Sequence, residues 1–215
     1  MSPVFDCTTE EGRVAGVAAA ADAVRRGEVV VLPTDTVYGV GADAFAPDAV
    51  AAVLAAKGRG REAPPPVLVP NARTVDGLAT AVPGYARDLI TAFWPGPLTL
   101  VLVAQSSLMW DLGDTNGTVA LRMPQDETAL ALLEAVGPMA VTSANLTGQP
   151  PATTVVAAAA ELGAAVSVYL DGGPTAGSDP STILDCTGDA PVVLRRGAIG
   201  AERLREVLGD VELDE

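Results

Sequence analysis

The feature that most constrains the fold is the alternation of alanine-rich segments with short apolar runs. In the first example, alanine and valine recur at helical spacing over residues 12–26, and Gly27 is a residue type that commonly ends a helix. Residues 28–32 then form a short apolar run that predicts a buried strand. Helix followed by buried strand is typical of a sheet covered by helices.

The same alternation continues along the chain. Helices are predicted at 48–57, 74–81, 84–93, 126–136, 154–162 and 200–208. Strands are predicted at 67–69, 98–104, 118–123, 138–142, 166–170, 182–186 and 191–195. The last three strands follow closely enough for antiparallel pairing. We therefore predict an α/β fold with a mixed sheet flanked by helices, formed by one domain over 1–215, with an acidic tail at 209–215 that frays.

Composition excludes several kinds of site. The chain has no histidine, and its two cysteines are Cys7 and Cys186, so a zinc site of Cys and His ligands and any histidine-based triad are excluded. No segment approaches the roughly 20 apolar residues that span a bilayer, and no leader pattern is visible, so we expect a cytoplasmic protein. A net charge of −14 argues against broad attraction to nucleic acid, which makes the few basic clusters informative.

Small polar residues adjoin three of the apolar strands. Two groups follow a strand: Thr34, Asp35 and Thr36 in "PTDTVYGVG", and Thr142, Ser143 and Asn145 in "VTSANLTG". The third group, Ser181 and Thr182 in "DPSTILD", stands at the start of a strand, where strand propensity is the simpler interpretation. In the first segment a turn cap is the simpler interpretation, and Asp35 in particular is predicted to be such a cap. The alternative is that hydroxyls face a small polar ligand while Gly39 and Gly41 allow close backbone approach. In the second segment the number of donors and acceptors favours a binding site.

Basic residues are concentrated in two places, "KGRGR" (57–61) and "LRRGAI" (194–199). The first is interpreted either as positive charge at a helix C-terminus or as a loop that closes over a polyphosphate. A further arginine, Arg122, shares one face of the strand "TVALR" with Thr118 and Ala120, and an arginine at a strand end suits a bidentate carboxylate contact. "WPGP" is interpreted as a rigid turn.

Taken in order, "PTDTVYGVGADA", "KGR", "WPGPLTLVL", "TVALRMP", "TSANLTGQPPATT", "LDGG", "DPSTILD" and "VLRRGAI" closely resemble the YrdC-like family of threonylcarbamoyl-AMP synthases. The resemblance covers about residues 12–208 and is to the short form, without the additional C-terminal domain of some relatives. It implies a three-layer fold around a twisted mixed sheet. It also implies a concave, positively lined ligand cavity.

The resemblance implies synthesis of L-threonylcarbamoyl-AMP and pyrophosphate from L-threonine, bicarbonate or carbon dioxide, and ATP, for the N6-threonylcarbamoyladenosine modification of tRNA. It implies downstream tRNA threonylcarbamoyl-transfer proteins as partners, a weak tRNA contact and no membrane. Mg²⁺ is expected as the cofactor, held through ATP phosphates rather than a carboxylate cage.

Site residues are carried over from the matching motifs. Lys57 and Arg59 are the implied catalytic pair facing the phosphates. The implied threonine site consists of Thr34, Arg122, Thr142 and Ser181. The implied ATP site consists of Lys57, Arg59, Thr118, Ser143, Asn145, Thr153 and Arg195.

Two departures from the family pattern concern the loop after "KGR", which continues "GREAPPP", and Thr147, where the family often has serine.

Two alternative functions also stay open. One is carbamoyl transfer from carbamoyl phosphate by an enzyme of the same fold. The other is an RNA-binding module, which the net charge disfavours.

Overall fold

A mixed sheet of ten strands organises residues 2–214, which the computed structural model describes. Its strands are β1 (Val4–Asp6), β2 (Val30–Leu32), β3 (Gly39–Asp43), β4 (Val67–Leu68), β5 (Leu98–Val103), β6 (Thr118–Arg122), β7 (Met139–Ser143), β8 (Val168–Asp171), β9 (Thr182–Asp185) and β10 (Val192–Arg195). Their order across the sheet is β1-β8-β2-β3-β7-β4-β6-β5-β9-β10. The sheet contains parallel pairs such as β2–β8 and β5–β9 and antiparallel pairs such as β2–β3 and β5–β6. The predicted mixed sheet is confirmed.

The helices are α1 (Glu10–Arg25), α2 (Pro47–Ala56), α3 (Val75–Leu78), α4 (Gly84–Phe93), α5 (Glu127–Val136), α6 (Val155–Leu162) and α7 (Ala201–Leu208). Side chains cap three of them: Thr9, Asp126 and Thr154 each accept a hydrogen bond from a backbone N–H of the first turn of α1, α5 and α6. None of the helices in residues 2–214 is long and apolar enough to cross a membrane.

Alternating side chains show how the helices cover the sheet. In β2, Val30 and Leu32 pack in the cluster that includes α1 and α5, whereas Val31 packs on the opposite face with residues of α2 and α6. The half of the sheet from β1 to β7 is therefore covered on both faces.

The other half of the sheet is covered on one face. Leu98, Leu100 and Leu102 of β5 pack in the cluster that includes α3, α4 and α7. Thr99 and Val101, which alternate with them, line a cavity instead. The cavity therefore occupies the face of β6, β5 and β9 that α1 and α5 do not reach.

Three sequence predictions were wrong. Strand β3 was interpreted as a turn, because its two glycines disfavour strands when judged locally. Strand β8 pairs in parallel with β1 and β2, and does not adjoin β9. The tail does not fray at Asp214, whose carbonyl accepts a hydrogen bond from Val193 N at 2.8 Å; Glu215 lies outside the described residues.

Candidate active site

The cavity has a volume of about 520 Å³ and is lined from several strands and the loops that follow them. It brings together eight of the site residues predicted from sequence. These are Thr34, Arg59, Thr118, Arg122, Thr142, Ser143, Ser181 and Arg195. The remaining three, Lys57, Asn145 and Thr153, are not part of the lining.

Thr34 and Thr36 form a hydroxyl pair in the turn after β2. Thr34 Oγ1 donates to the carbonyl of Val37 at 2.6 Å, and it lies 3.0 Å from Thr36 Oγ1. Since a hydroxyl has one proton, Thr36 is the donor between the two. Both residues line the cavity, so Thr34 serves the local turn and the cavity wall together.

Arg122 is buried, and protein groups fix its guanidinium. Nε donates to the carbonyl of Gly96 at 3.0 Å, Nη1 to Thr36 Oγ1 at 3.0 Å and Nη2 to Asp35 Oδ1 at 2.6 Å. The turn "WPGP", with its cis Trp94–Pro95 bond, therefore supplies one of the acceptors that orient this arginine. Burial lowers the pKa of Arg122, while Asp35 acts in the opposite direction.

The prediction that Asp35 caps the segment after it was wrong. Its Oδ1 accepts from Arg122 and from the backbone N of Gln125 at 2.8 Å, both far away in sequence. Its Oδ2 is buried without a hydrogen-bond partner among the described residues. The carboxylate of Asp35 binds the buried Arg122 through a short, charged hydrogen bond instead of accepting one from its own turn.

Ser181 lies between a threonine and an arginine. Its Oγ is 2.8 Å from Thr99 Oγ1 and accepts from Arg195 Nη2 at 2.9 Å, and its carbonyl accepts from Arg195 Nε at 3.1 Å. Strand β10 is irregular between Val193 and Arg195, so that Arg195 lies opposite Ile183, a cavity-lining residue of β9. This β-bulge places Arg195 on the cavity side.

Arginines make the cavity positive. Burial first, and then the charges of Arg122 and Arg59, lower the pKa of Arg195, and burial also lowers the pKa of Arg59. Arg59 Nη1 donates to Thr142 Oγ1 at 3.2 Å. Because Arg195 lies within the influence of both other guanidinium groups, an anion bound beside it is attracted by all three.

Lys57 contacts the loop after β7 instead of lining the cavity. Its Nζ donates to the carbonyls of Ser143 and Asn145, the latter at 2.6 Å. Burial, reinforced by the charge of Arg59, lowers the pKa of Lys57 to about 8. The amide nitrogen of Asn145 donates to the carbonyl of Gln149 at 2.8 Å, so both residues shape this loop.

Thr118 and Thr153 also hydrogen-bond within the protein. Thr118 Oγ1 donates to the carbonyl of Thr115 at 2.8 Å while its residue lines the cavity. The carbonyl of Thr153 accepts from Thr175 N at 2.9 Å, outside the lining.

Sequence reasoning missed several lining residues. Thr99 had a usable signal, since it is the one polar residue within the apolar strand "LTLVLV". Asp114, Thr115 and Asn116 had none, because they belong to an irregular loop that reaches the cavity from outside the sheet. The prolines at 64–66, in the loop that departs from the family pattern, also line the cavity.

The glycines of "YGVG" serve packing between strands. A Cβ at Gly39 would lie 2.6 Å from Val141 Cγ1, and one at Gly41 would lie 2.6 Å from Val141 Cγ2. These glycines were expected to allow close approach of a ligand, but the backbone approach that they allow is to β7. Gly39 also borders the cavity.

Comparison with known proteins identifies a family. The Sua5/YciO/YrdC family model, described as telomere recombination, matches residues 22–197. A Mycobacterium tuberculosis protein provisionally named threonylcarbamoyl-AMP synthase is 54% identical, over 97% of this chain and 96% of its own length. The threonylcarbamoyl-AMP synthase of Bacillus subtilis is 40% identical, over 92% of this chain and 58% of its own length.

Solved structures agree with the sequence comparisons. Pyrococcus abyssi Sua5 complexed with L-threonine superimposes with a TM-score of 0.93 and 34% identity, covering 99% of this chain and 62% of that protein. E. coli YciO gives a TM-score of 0.85 and 26% identity, covering 95% of this chain and all of that one. This chain thus spans less than two thirds of the archaeal Sua5 but the full length of YciO.

Proposed function

Since the chain belongs to the Sua5/YciO/YrdC family, we propose that it is a threonylcarbamoyl-AMP synthase. Its reaction condenses L-threonine, bicarbonate or carbon dioxide, and ATP to L-threonylcarbamoyl-AMP and pyrophosphate. The resemblance read from the sequence motifs is confirmed at the level of the family, and the activity is inferred from the names of the relatives together with the cavity.

The observation that carries the proposal is the division of one cavity into two chemically different ends. At one end, Arg122 donates to the hydroxyl of Thr36, which lies 3.0 Å from that of Thr34, and its charge is balanced by Asp35. At the other end, Arg59 has no carboxylate hydrogen-bond partner in residues 2–214. An amino acid fits the first environment, and a polyphosphate fits the second.

The reaction needs positioned charges and no protein nucleophile. The threonine amine adds to carbon dioxide and loses a proton, which gives a carbamate. A carbamate oxygen then bonds to the α-phosphorus of ATP while the bond from that phosphorus to the β-phosphate bridging oxygen breaks, and pyrophosphate leaves. Arg59 and Arg195, which line the cavity, would stabilise the negative charge on the phosphates. Ser143 and Thr118 would contact the nucleotide.

Lys57 is assigned an indirect part in this scheme. Its ammonium holds the carbonyls of Ser143 and Asn145, and it thereby orients the loop that carries Ser143 into the cavity. The sequence prediction that Lys57 faces the phosphates stays a prediction, and a changed side-chain rotamer on nucleotide binding would be needed to fulfil it.

Mg²⁺ is proposed as the companion of ATP. Within residues 2–214 no group of three acidic, histidine or cysteine side chains is arranged to hold a metal ion, and Asp114 is the acidic residue in the cavity lining. This donor set fits an ion that ATP phosphates and water would coordinate, and Asp114, which lies 3.6 Å from Arg61 Nε, would be its single protein oxygen ligand. When bound, such an ion neutralises phosphate charge.

The product's reactive mixed anhydride implies a following transfer of the threonylcarbamoyl group. We infer that tRNA threonylcarbamoyl-transfer proteins consume it for N6-threonylcarbamoyladenosine synthesis, and that the protein acts in the cytoplasm. A weak direct contact with tRNA stays a prediction.

The test is pyrophosphate release from ATP, L-threonine, bicarbonate and Mg²⁺, with the adenylate product identified by mass spectrometry. Release that depends on threonine is expected, and its absence would refute the proposal. Arg59→Met should lose most of the activity. Arg87→Met is its matched control, because Arg87 is exposed and outside the cavity, and it should retain the activity. Pyrophosphate release from ATP that depends on carbamoyl phosphate and does not need threonine would instead favour the carbamoyl-transfer alternative.

A further inference from the structure

The three cavity arginines differ in how their charges are balanced. Arg122 Nη2 lies 2.6 Å from Asp35 Oδ1, and the two side chains are 8% and 12% exposed. Arg195 donates instead to the neutral carbonyl and hydroxyl of Ser181, and Arg59 to the hydroxyl of Thr142. Among the described residues, Arg122 is therefore the cavity arginine with a hydrogen-bonded carboxylate, whereas Glu62 acts on Arg59 through its charge.

Asp35 lies behind Arg122 and does not border the cavity. Arg122 belongs to the lining, whereas Asp35 does not. Asp35 is also held from the far side by the backbone N–H of Gln125. Of the five guanidinium N–H groups, three are bound by described residues, which leaves two for a ligand. Asp35 thus changes the charge that the cavity experiences without occupying ligand space.

This charge balance matters because the arginines are close together. The charges of Arg122 and Arg59 both lower the pKa of Arg195, so a triphosphate bound by Arg59 and Arg195 lies within the influence of Arg122. An unbalanced Arg122 would attract that polyanion more strongly than it attracts a single carboxylate, because Coulomb energy grows with ligand charge. The pair with Asp35 removes that advantage.

We propose that Asp35 is a positioning residue that sets anion selectivity inside the cavity. By pairing with Arg122 it reserves that end for a monocarboxylate and leaves polyphosphate to Arg59 and Arg195. The inference rests on the proposed function, since it assumes that threonine and a polyphosphate occupy the cavity together. It assigns a specific role to a residue for which the sequence indicated only a turn.

The experiment is calorimetric titration of L-threonine with and without saturating tripolyphosphate, a probe that lacks the nucleoside. The variants are Asp35→Asn, which is isosteric, and Asp76→Asn, which breaks the exposed ion pair with Arg87 at 2.9 Å outside the cavity. In the wild type and in Asp76→Asn, tripolyphosphate should change the threonine Kd less than twofold. In Asp35→Asn it should raise that Kd at least tenfold.

An equal effect of tripolyphosphate on all three proteins, or none on Asp35→Asn, would overturn the inference. Circular dichroism checks folding, and Asp35→Ser is the second variant if Asp35→Asn does not fold. The wild type is itself a test, because displacement of threonine by tripolyphosphate there is incompatible with the proposal. Wild-type protein that shows the selectivity but releases no pyrophosphate would refute the proposed function alone.

Discussion

Replacing Gly39 with alanine tests the close contact between β3 and β7. The added Cβ would lie 2.6 Å from Val141 Cγ1, and the next nearest atom, Leu32 Cδ2, would be 3.6 Å away. One methyl group therefore accounts for the clash. Overpacking of this kind costs about 1–3 kcal/mol, and we expect Gly39→Ala to lower the free energy of unfolding by about 2 kcal/mol.

Removing the clashing methyl should compensate for the change. Val141→Ala alone deletes two methyl groups, at about 0.8 kcal/mol each plus a cavity contribution, so it should cost about 2 kcal/mol. In the double variant the methyl of Ala at 39 enters the vacated space. Its total cost should therefore be about 1–2 kcal/mol instead of the sum of about 4, which is a coupling of at least about 2 kcal/mol.

Urea unfolding followed by circular dichroism measures all four proteins of this cycle. Gly77→Ala is the matched control, because a Cβ at Gly77 in α3 meets no atom within 4 Å. Alanine favours helix, so this control should be as stable as the wild type or slightly more stable. Additive costs, within about 0.5 kcal/mol, would show that Gly39 and Val141 do not share the contact described above.

Three further predictions concern charge. Burial lowers the pKa of Lys57 to about 8 from 10.5, so the folded protein releases, between these pH values, a proton that the unfolded chain keeps. The free energy of unfolding should therefore rise by about 3 kcal/mol across that window in the wild type relative to Lys57→Met. Urea titrations at about pH 7.5 and 10.5 measure this difference. Equal changes of the free energy of unfolding in the two proteins would contradict the burial of this ammonium. Arg122→Lys, which cannot keep all three acceptors, should raise the KM for threonine at least tenfold while that for ATP changes less than threefold; the reverse pattern in steady-state kinetics would exchange the two ends of the cavity. Finally, fluorescence anisotropy with tRNA at 0.15 M salt should show no binding tighter than about 100 μM, and micromolar affinity with a steep salt dependence would restore the RNA-binding alternative.

The sequence predicted the elements whose periodicity is strong. The helix 84–93 matches α4 residue for residue, and the alternation in "TVALR" correctly separated Arg122 from the buried Leu121. Strand β3 escaped prediction because its glycines are explained by Val141, which lies about 100 residues later in the chain. Local propensity contains no information about such a partner.

In the candidate site, too, features set by neighbouring residues were predicted and contacts between distant residues were not. The segments with clustered hydroxyls do meet in one cavity, as the position of two of them after strands indicated. The partner of Asp35 was missed, because 87 positions separate it from Arg122 and a turn offered a sufficient local explanation. The hydrogen bonds of Lys57 were not predictable for another reason: a long side chain has many rotamers, and the carbonyls that select one belong to a different loop.

The bulge in β10 makes strand register part of ligand binding. Without it, Arg195 would lie opposite Thr182, whose hydroxyl bonds the backbone of Ile199 on the buried side of β9. A regular β10 of the same length would therefore keep every charged side chain in the protein and still turn one arginine away from its anion. At this edge strand the spacing of residues is as restrictive as their identity, and deletion of Leu194, the residue that the bulge absorbs, is the change in length that would leave Arg195 opposite Ile183.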